Sequence, residues 1–297
     1  MPGTPRIAIV GPGNLGRALA LALRNAGYRI TEIIFRETSG SKRLAQDLAR
    51  RVSATAVPVD KPSLDADVIW LCVPDGAIAD LSRLLAQRRD VAWKDKVAFH
   101  SSGALAAKEL APLQRKGTGV ASVHPLMTFA AAAGNSASTQ KLAGVPFAIE
   151  GDPRAARVAR KIVRKLGGNA FSVKAKDKPL YHAWGAFASP LVVALLALAE
   201  QVGGAAGMGK GTAGRNSARK KMEPILRQTL RNYVERGPAA SFSGPLVRGD
   251  VATVRLNLRA LARVPGAEEV YLALARAALR TLPVRNRADL RQLLSGK

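Results

Sequence analysis

This chain is short of sulfur, of aromatic rings and of acidic side chains. Among its 297 residues there is one cysteine, Cys72, which excludes an internal disulfide framework and suits a reducing, cytoplasmic setting. Phe, Trp and Tyr together supply 5% of the residues, too few to interleave with basic side chains as nucleic-acid platforms do. There are only three histidines. No HxxxH, cysteine cluster or carboxylate–histidine run accompanies them, so no metal site is expected. The first residues, MPGTPRIAIVG, enter a strand pattern almost at once, which is not the layout of a secretory leader.

Acidic residues are outnumbered, 21 Asp/Glu against 46 Lys/Arg, for a net charge of +25. The excess is uneven: 19 basic against 12 acidic residues in 1–150, and 27 against 9 in 151–297. The basic residues are spread over helical patterns such as RAARVARKIVRK and RNSARKKMEPILRQTLR. Solvated faces with a general attraction for anions are expected, and no specific nucleic-acid partner. The longest apolar run, AWGAFASPLVVALLALA (183–199), approaches the length of a membrane span. Its alanines, Pro190 and the following Glu200-Gln201 point to a buried helix rather than a membrane span. Such a helix needs cover from other helices or from a second subunit.

What is abundant is alternation. Short β-branched runs at 6–10, 29–35, 54–57, 67–72, 97–99, 120–123, 146–149 and 170–173 are separated by segments with apolar residues at helical spacing, several ending in Gly. That pattern predicts an α/β, doubly wound, mainly parallel sheet of Rossmann type over residues 1–173. Beyond 174 the strand signal stops, and an all-α domain is expected over 174–297.

The first strand runs into Gly11-Pro12-Gly13-Asn14-Leu15-Gly16 and then a helix. A GxGxxG string in that context binds a dinucleotide: Gly11 makes the turn, Gly13 lets pyrophosphate approach, and Gly16 lets helix and strand pack closely. Asn14 and Leu15 open the helix whose N–H groups face the anion. Twenty residues on, where NAD-binding versions place an acidic residue, stands Arg36. Its planar fork suits a 2′-phosphate, with Ser39, Ser41, Lys42 and Arg43 adding donors and charge along a following loop. NADP is therefore the expected cofactor. The competing reading leaves Arg36 exposed and gives the ribose to Glu37.

Later strand ends carry Cys72-Val73-Pro74-Asp75, His100-Ser101-Ser102-Gly103 and His124-Pro125. Loops at the carboxyl ends of parallel strands line the ligand crevice. Val73, Pro74 and Asp75 are expected beside the cofactor, with Asp75 also able to cap a helix. Cys72 reads as core. His100, His124 and His182 can each move a proton or simply hold structure.

The motifs GPGNLG, CVPD, HSSGA, VHPLMTF, FAIEGD, YHAWGAFAS and SGPLVRGD, over nearly the whole chain, resemble Rossmann-like oxidoreductases with a C-terminal domain of unknown function 2520. More distantly they look like pyrroline-5-carboxylate, ketopantoate and deazaflavin-linked NADP reductases. The resemblance implies a helical domain that dimerises and closes over the nicotinamide. It implies hydride transfer to or from a C=O or C=N centre of a small substrate that can bear a carboxylate.

On this reading His100 or His182, with Tyr181, moves the proton. Ser101 and Ser102 orient the substrate, and Arg248 clamps an anionic group. Two positions depart from the family pattern. Pro190 stands where Asn is frequent, and Asn257 where His is frequent. They motivate an alternative, a non-catalytic NADP-binding scaffold or sensor.

Overall fold

The computed structural model describes residues 4–129, 142–208 and 211–295. The chain divides into two compact units, 1–189 and 190–297. The strands do end where the sequence pattern ends, but the division falls after Ser189 rather than after 173.

The first unit is built on eight strands, each close to its expected position. They are β1 (Ile7–Val10), β2 (Ile30–Phe35), β3 (Thr55–Pro58), β4 (Val68–Leu71), β5 (Val97–His100), β6 (Gly119–Pro125), β7 (Pro146–Gly151) and β8 (Asn169–Ser172). Their order is β3-β2-β1-β4-β5-β6-β7-β8, and every neighbouring pair is parallel except β6 with β7. The order reverses direction between β1 and β4, the switch point that opens a crevice at the carboxyl edge of such sheets.

Central strands covered on both faces read as continuous apolar runs, and β1, β4 and β5 are buried at every residue. Against one face pack α1 (Asn14–Asn25), α2 (Ser39–Val52) and α5 (Pro153–Lys165), through Leu19, Leu23, Leu48, Val52, Ile162 and Val163. On the other face, α3 (Asp75–Ala86) contributes Ile78 and Leu85, and α4 (Ala111–Gln114) contributes Leu113.

Helix ends follow local chemistry. Thr38 caps α2 by accepting from Ser41 N–H at 3.3 Å, so Ser39, Ser41 and Lys42 form the first turn of a helix rather than a loop. Asp152 caps α5 through Ala155 N–H at 2.9 Å. Asp75 does not act as a cap: it is the first residue of α3, Pro74 holds the cap position, and no side chain caps that helix.

Two polar side chains, one buried and one exposed, brace the sheet. Glu32 in β2, 4% exposed, accepts from Ser63 N–H at 2.8 Å and Leu64 N–H at 2.9 Å. Arg154 in α5 donates to the carbonyls of Lys94, Lys96 and Gly117, tying the amino edge of β5 and β6 together.

The first unit ends with α6 (Lys178–Ala188). The second contains α7 (Pro190–Gly203), α8 (Gly211–Ser241), α9 (Pro245–Arg248), α10 (Val251–Leu261), α11 (Ala267–Thr281) and α12 (Arg287–Leu294). Its core is Val254, Leu258, Ala275, Leu279, Leu290 and Leu294. A two-pronged ion pair, Arg219 to Glu200 at 2.6 and 2.8 Å, ties α8 to α7. The helical path of α8 breaks at Gly237 (φ +74°), directly before Pro238.

The expected buried helix over 183–199 is not buried. The helical segment Ala175–Met208 is long and apolar enough to cross a membrane by length and composition, and only 6% of its most apolar window is covered. Leu180, Phe187, Leu191 and Val193 stand 75%, 71%, 48% and 65% exposed. Apolarity in the sequence signals a surface in need of cover, and among the described residues these side chains stand exposed.

Removal of the Glu32 carboxylate strands two backbone N–H groups away from water. The Glu32→Ala variant is expected to lose about 2–3 kcal/mol of unfolding free energy in a urea titration. A loss within about 0.5 kcal/mol would show the brace to be dispensable.

Candidate functional site

The crevice at the switch point is shaped by backbone proximity. Gly11 has φ +102°, and a Cβ there would sit 2.4 Å from the Cys72 carbonyl oxygen. A Cβ on Gly16 would fall 1.9 Å from the carbonyl oxygen of Gly11, so the turn and helix α1 can close only on glycine. Gly13 is different. It is exposed, and a Cβ would meet nothing within 4 Å. Gly11 and Gly16 hold the turn together, while Gly13 leaves open room beside the N-terminus of α1, the arrangement that receives an anion. Asn14 anchors this end by donating to the Phe129 carbonyl at 3.1 Å. Leu15 packs against the core.

From Gly11–Gly13 a cavity of about 750 Å³ extends along the sheet edge, with Val73 and Pro74 on one side and Phe35, Arg36 and Ser41 at its far end. Leu44, Val59, Leu81 and Leu84 give it apolar walls. Arg36, exposed, stands beside the N-terminus of the 14-residue helix α2, whose first turn carries no acidic residue. Guanidinium and helix N-terminus together make a positive pole. Glu37 is exposed and does not line the cavity. Ser39 and Lys42 are exposed on the same helical turn.

Farther along the same edge, at the ends of β5 and β6, lies a polar cluster. His100 is fully buried, and both ring nitrogens are engaged: Nε2 with the Ala106 carbonyl at 3.0 Å, Nδ1 accepting from Ser102 N–H at 3.1 Å. Burial pushes its pKa down to about 4. This histidine pins the loop that follows β5 and has no nitrogen left to serve a substrate. Ser101 Oγ accepts from the Trp70 indole at 2.8 Å. Ser102 Oγ donates to Asp75 at 2.7 Å and accepts from Leu105 N–H at 2.9 Å. Both serines therefore brace the loop, and Asp75 is bound to that brace. The thiol of Cys72 is pushed far up by burial and is chemically quiet.

Helix α6 crosses this cluster. Tyr181 Oη lies 2.8 Å from His124 Nδ1, and the rings meet edge to face at 5.6 Å. His182 stands 6.4 Å from His124, itself exposed. Between them runs Gly103, where a Cβ would fall 2.7 Å from the His182 ring and 3.0 Å from His124 Nε2. Burial lowers the His124 pKa to about 4, helped by the charge of Lys178, and raises that of Tyr181 to about 12. At neutral pH the pair is a neutral imidazole and a protonated phenol. Arg248 is exposed at the end of α9 in the second unit, and Asp250 beside it caps α10 through Thr253 N–H at 3.0 Å.

One residue was missed by sequence reasoning. Lys178, 0% exposed, donates from Nζ to Ser122 Oγ at 2.8 Å and to the Ser102 carbonyl at 3.1 Å. Its signal was its spacing: three and four residues before Tyr181 and His182, hence on their side of a helix. Among the described residues no cluster of three or more His, Cys, Asp or Glu could hold a metal.

Residues 2–125 match the Rossmann-like domain, and residues 145–278 match the domain of unknown function 2520. The chain is a Rossmann-like protein with a domain of unknown function 2520. No curated protein matches it in sequence. Its fold is shared with several solved structures. A Bacteroides fragilis protein described as a candidate NADP oxidoreductase is 22% identical, with 92% of this chain and 97% of that one covered at a TM-score of 0.72. A Thermotoga maritima protein is 23% identical, with 91% and 96% covered at 0.68. An imine reductase of Myxococcus stipitatus, solved with NADP+, is 18% identical, with 93% and 94% covered at 0.62. At these identities the likeness is one of fold.

His100, buried, and His124, partly buried, make the Rossmann-like unit sensitive to acid. Their folded pKa values lie below the ordinary 6.5, so between about pH 6.5 and 4 the unfolded chain binds protons that the folded chain refuses. The stabilisation is full above pH 6.5 and is lost as the pH falls toward 4. Thermal midpoints measured across that range are expected to drop steeply, and His100→Asn should flatten the slope; an unchanged slope in that variant would remove His100 from the account.

Proposed function

We propose that this protein is an NADP-dependent oxidoreductase that passes hydride between the nicotinamide and the C=N or C=O carbon of a small substrate. The observation that carries this reading is a pairing along one sheet edge. A glycine-walled crevice with Arg36 at one end and a neutral His124–Tyr181 hydrogen bond lie at the ends of β1 and β6, in the strand order β1-β4-β5-β6. The fold shared with an imine reductase solved with NADP+ agrees with it.

Residues Gly11, Gly13, Asn14, Leu15 and Gly16 would hold the pyrophosphate, and Val73 and Pro74 would flank the dinucleotide. Arg36, Ser39, Ser41 and Lys42 would take the 2′-phosphate, a group that an acidic residue at the same place would repel. The bound cofactor supplies the hydride. In the reductive direction carbon receives that hydride, and Tyr181 gives its proton to the nitrogen or oxygen taking up the electron pair. His124 Nδ1–H then holds the phenolate oxygen until solvent returns the proton. In the oxidative direction the same groups act in reverse. His100 is assigned a structural part, so the proton transfer moves to Tyr181 with His124. Arg248 is the candidate partner for an anionic substrate group.

A second copy of this chain is the proposed cover for the exposed apolar side chains of α6 and α7. The sensor reading rests on Pro190 and Asn257, and the same experiment separates it.

Purified protein is expected to oxidise NADPH with at least one class from a panel of cyclic imines and keto acids. Tyr181→Phe should lower kcat by roughly 10²–10⁴-fold while leaving NADPH affinity intact. Arg36→Asp should weaken NADPH binding by roughly 10- to 100-fold, the value of a charge-assisted fork, with little effect on NADH. Tight binding without oxidation across the panel would favour the sensor. Equal losses for both cofactors in Arg36→Asp would return the ribose to Glu37.

A further inference from the structure

The meeting of α6 with the sheet has a register. Lys178 and Tyr181 are three residues apart on one helix face, and Ser122 and His124 are two residues apart on one strand face. The pairs match one to one: Lys178 bonds Ser122, and Tyr181 bonds His124. The Ser102 carbonyl joins this pairing, since it accepts from both Lys178 Nζ at 3.1 Å and Ser122 Oγ at 3.0 Å.

A side chain used only to fill this space would be apolar, because burying an ammonium is expensive unless it is well bonded. Here its bonds go to a hydroxyl and a carbonyl, not to a carboxylate. The charge is therefore not cancelled at close range. The groups that face it from the surrounding elements are His100 and Ser102 from the end of β5, Ser122 and His124 from β6, Glu150 from β7, Asp75 from α3, and Tyr181 and His182 on its own helix. Glu150 and Asp75 favour its charge, while His100 and His124 are disfavoured as cations by it.

We propose that Lys178 is the positioning residue of this site: its ammonium locks α6 onto β6 and the loop after β5 so that Tyr181 meets His124, and it sets a positive charge behind a partly buried imidazole. The inference rests on the proposed proton transfer by Tyr181 and deepens it. A cationic His124 could offer Tyr181 only a donor and would lose the choice of tautomer that a two-way proton transfer needs. Burial pulls Lys178 itself down to about 8. The lock accordingly weakens in moderately alkaline solution, as the ammonium loses its proton.

The test uses the full chain without cofactor or substrate. The three histidine rings are followed by NMR across pH and assigned by single His→Asn variants. In the unaltered protein His124 is expected to stay neutral down to about pH 4. In Lys178→Met its midpoint should rise by roughly one pH unit or more, while in Lys178→Arg it should stay low. A folded Lys178→Met protein with an unmoved His124 midpoint overturns the proposal. If that variant does not fold, Lys178→Gln takes its place, compared with Ser122→Ala, which loses a bond but keeps the charge. A midpoint that rises in Lys178→Gln alone supports the proposal, and an equal rise in both shows general loosening and overturns it. The readout is independent of turnover. A panel without NADPH oxidation therefore counts against the oxidoreductase reading while the titration still decides what Lys178 does to His124.

Discussion

A buried positive charge governs the carboxyl edge of this sheet. Lys178 has no exposed surface, yet from the start of α6 its ammonium reaches a loop and a strand that are remote from it in sequence. Hydrogen bonds in such a place are stronger than in water, and unmade ones are costly, so the groups around the ammonium have little freedom to rearrange. Ser102 shows the consequence. Its carbonyl is held by Lys178 and Ser122, its N–H by His100, and its hydroxyl by Asp75 and Leu105. Every polar group of that residue is committed. The loop after β5 is consequently a fixed wall, and Gly103 in it lies close against two imidazoles.

At the other end of the crevice the constraint is steric instead of electrostatic. Gly11 and Gly16 bring strand, turn and helix closer than any side chain permits, whereas Gly13 keeps space open. The two ends thus meet different demands. An anion-receiving end needs bare backbone and positive poles, which glycines, helix N-termini and Arg36 supply. A proton-handling end needs neutral groups held apart from water, which burial of His124 and Tyr181 supplies. Strand order places both on one edge.

Most of this fold was legible in the sequence, and the reasons are local. Eight apolar runs announced eight strands, most cleanly β1, β4 and β5, because strands covered on both faces must be apolar throughout. The glycine fingerprint was legible because close backbone approach admits a single residue type. What stayed hidden depended on the partner across the contact. Lys178, inside KDKPLYH, reads as a solvated lysine at a helix start, and only the arrival of Ser102 and Ser122 buries it. The run 183–199 announced its need for cover, but composition cannot say whether that cover comes from the same chain. Ser39 and Ser41 read as loop residues because hydroxyls favour turns, yet Thr38 captures them into a helical turn.

The three histidines show why residue type alone does not assign chemistry. All three sit at motif positions, and the sequence reading gave the proton to His100 or His182 rather than to His124. Hydrogen bonding separates them. His100 has spent both nitrogens on backbone atoms, so its ring is a fastener. His182 is exposed beside the cluster, where water competes for its nitrogens. His124 alone pairs a ring nitrogen with an ionisable hydroxyl, in a setting that keeps both partners uncharged. A proton can be handed on only where donor and acceptor can exchange roles, and that requirement singles out the imidazole–phenol pair. On the proposed reading, the lysine behind it adds its charge to the burial that keeps the imidazole neutral.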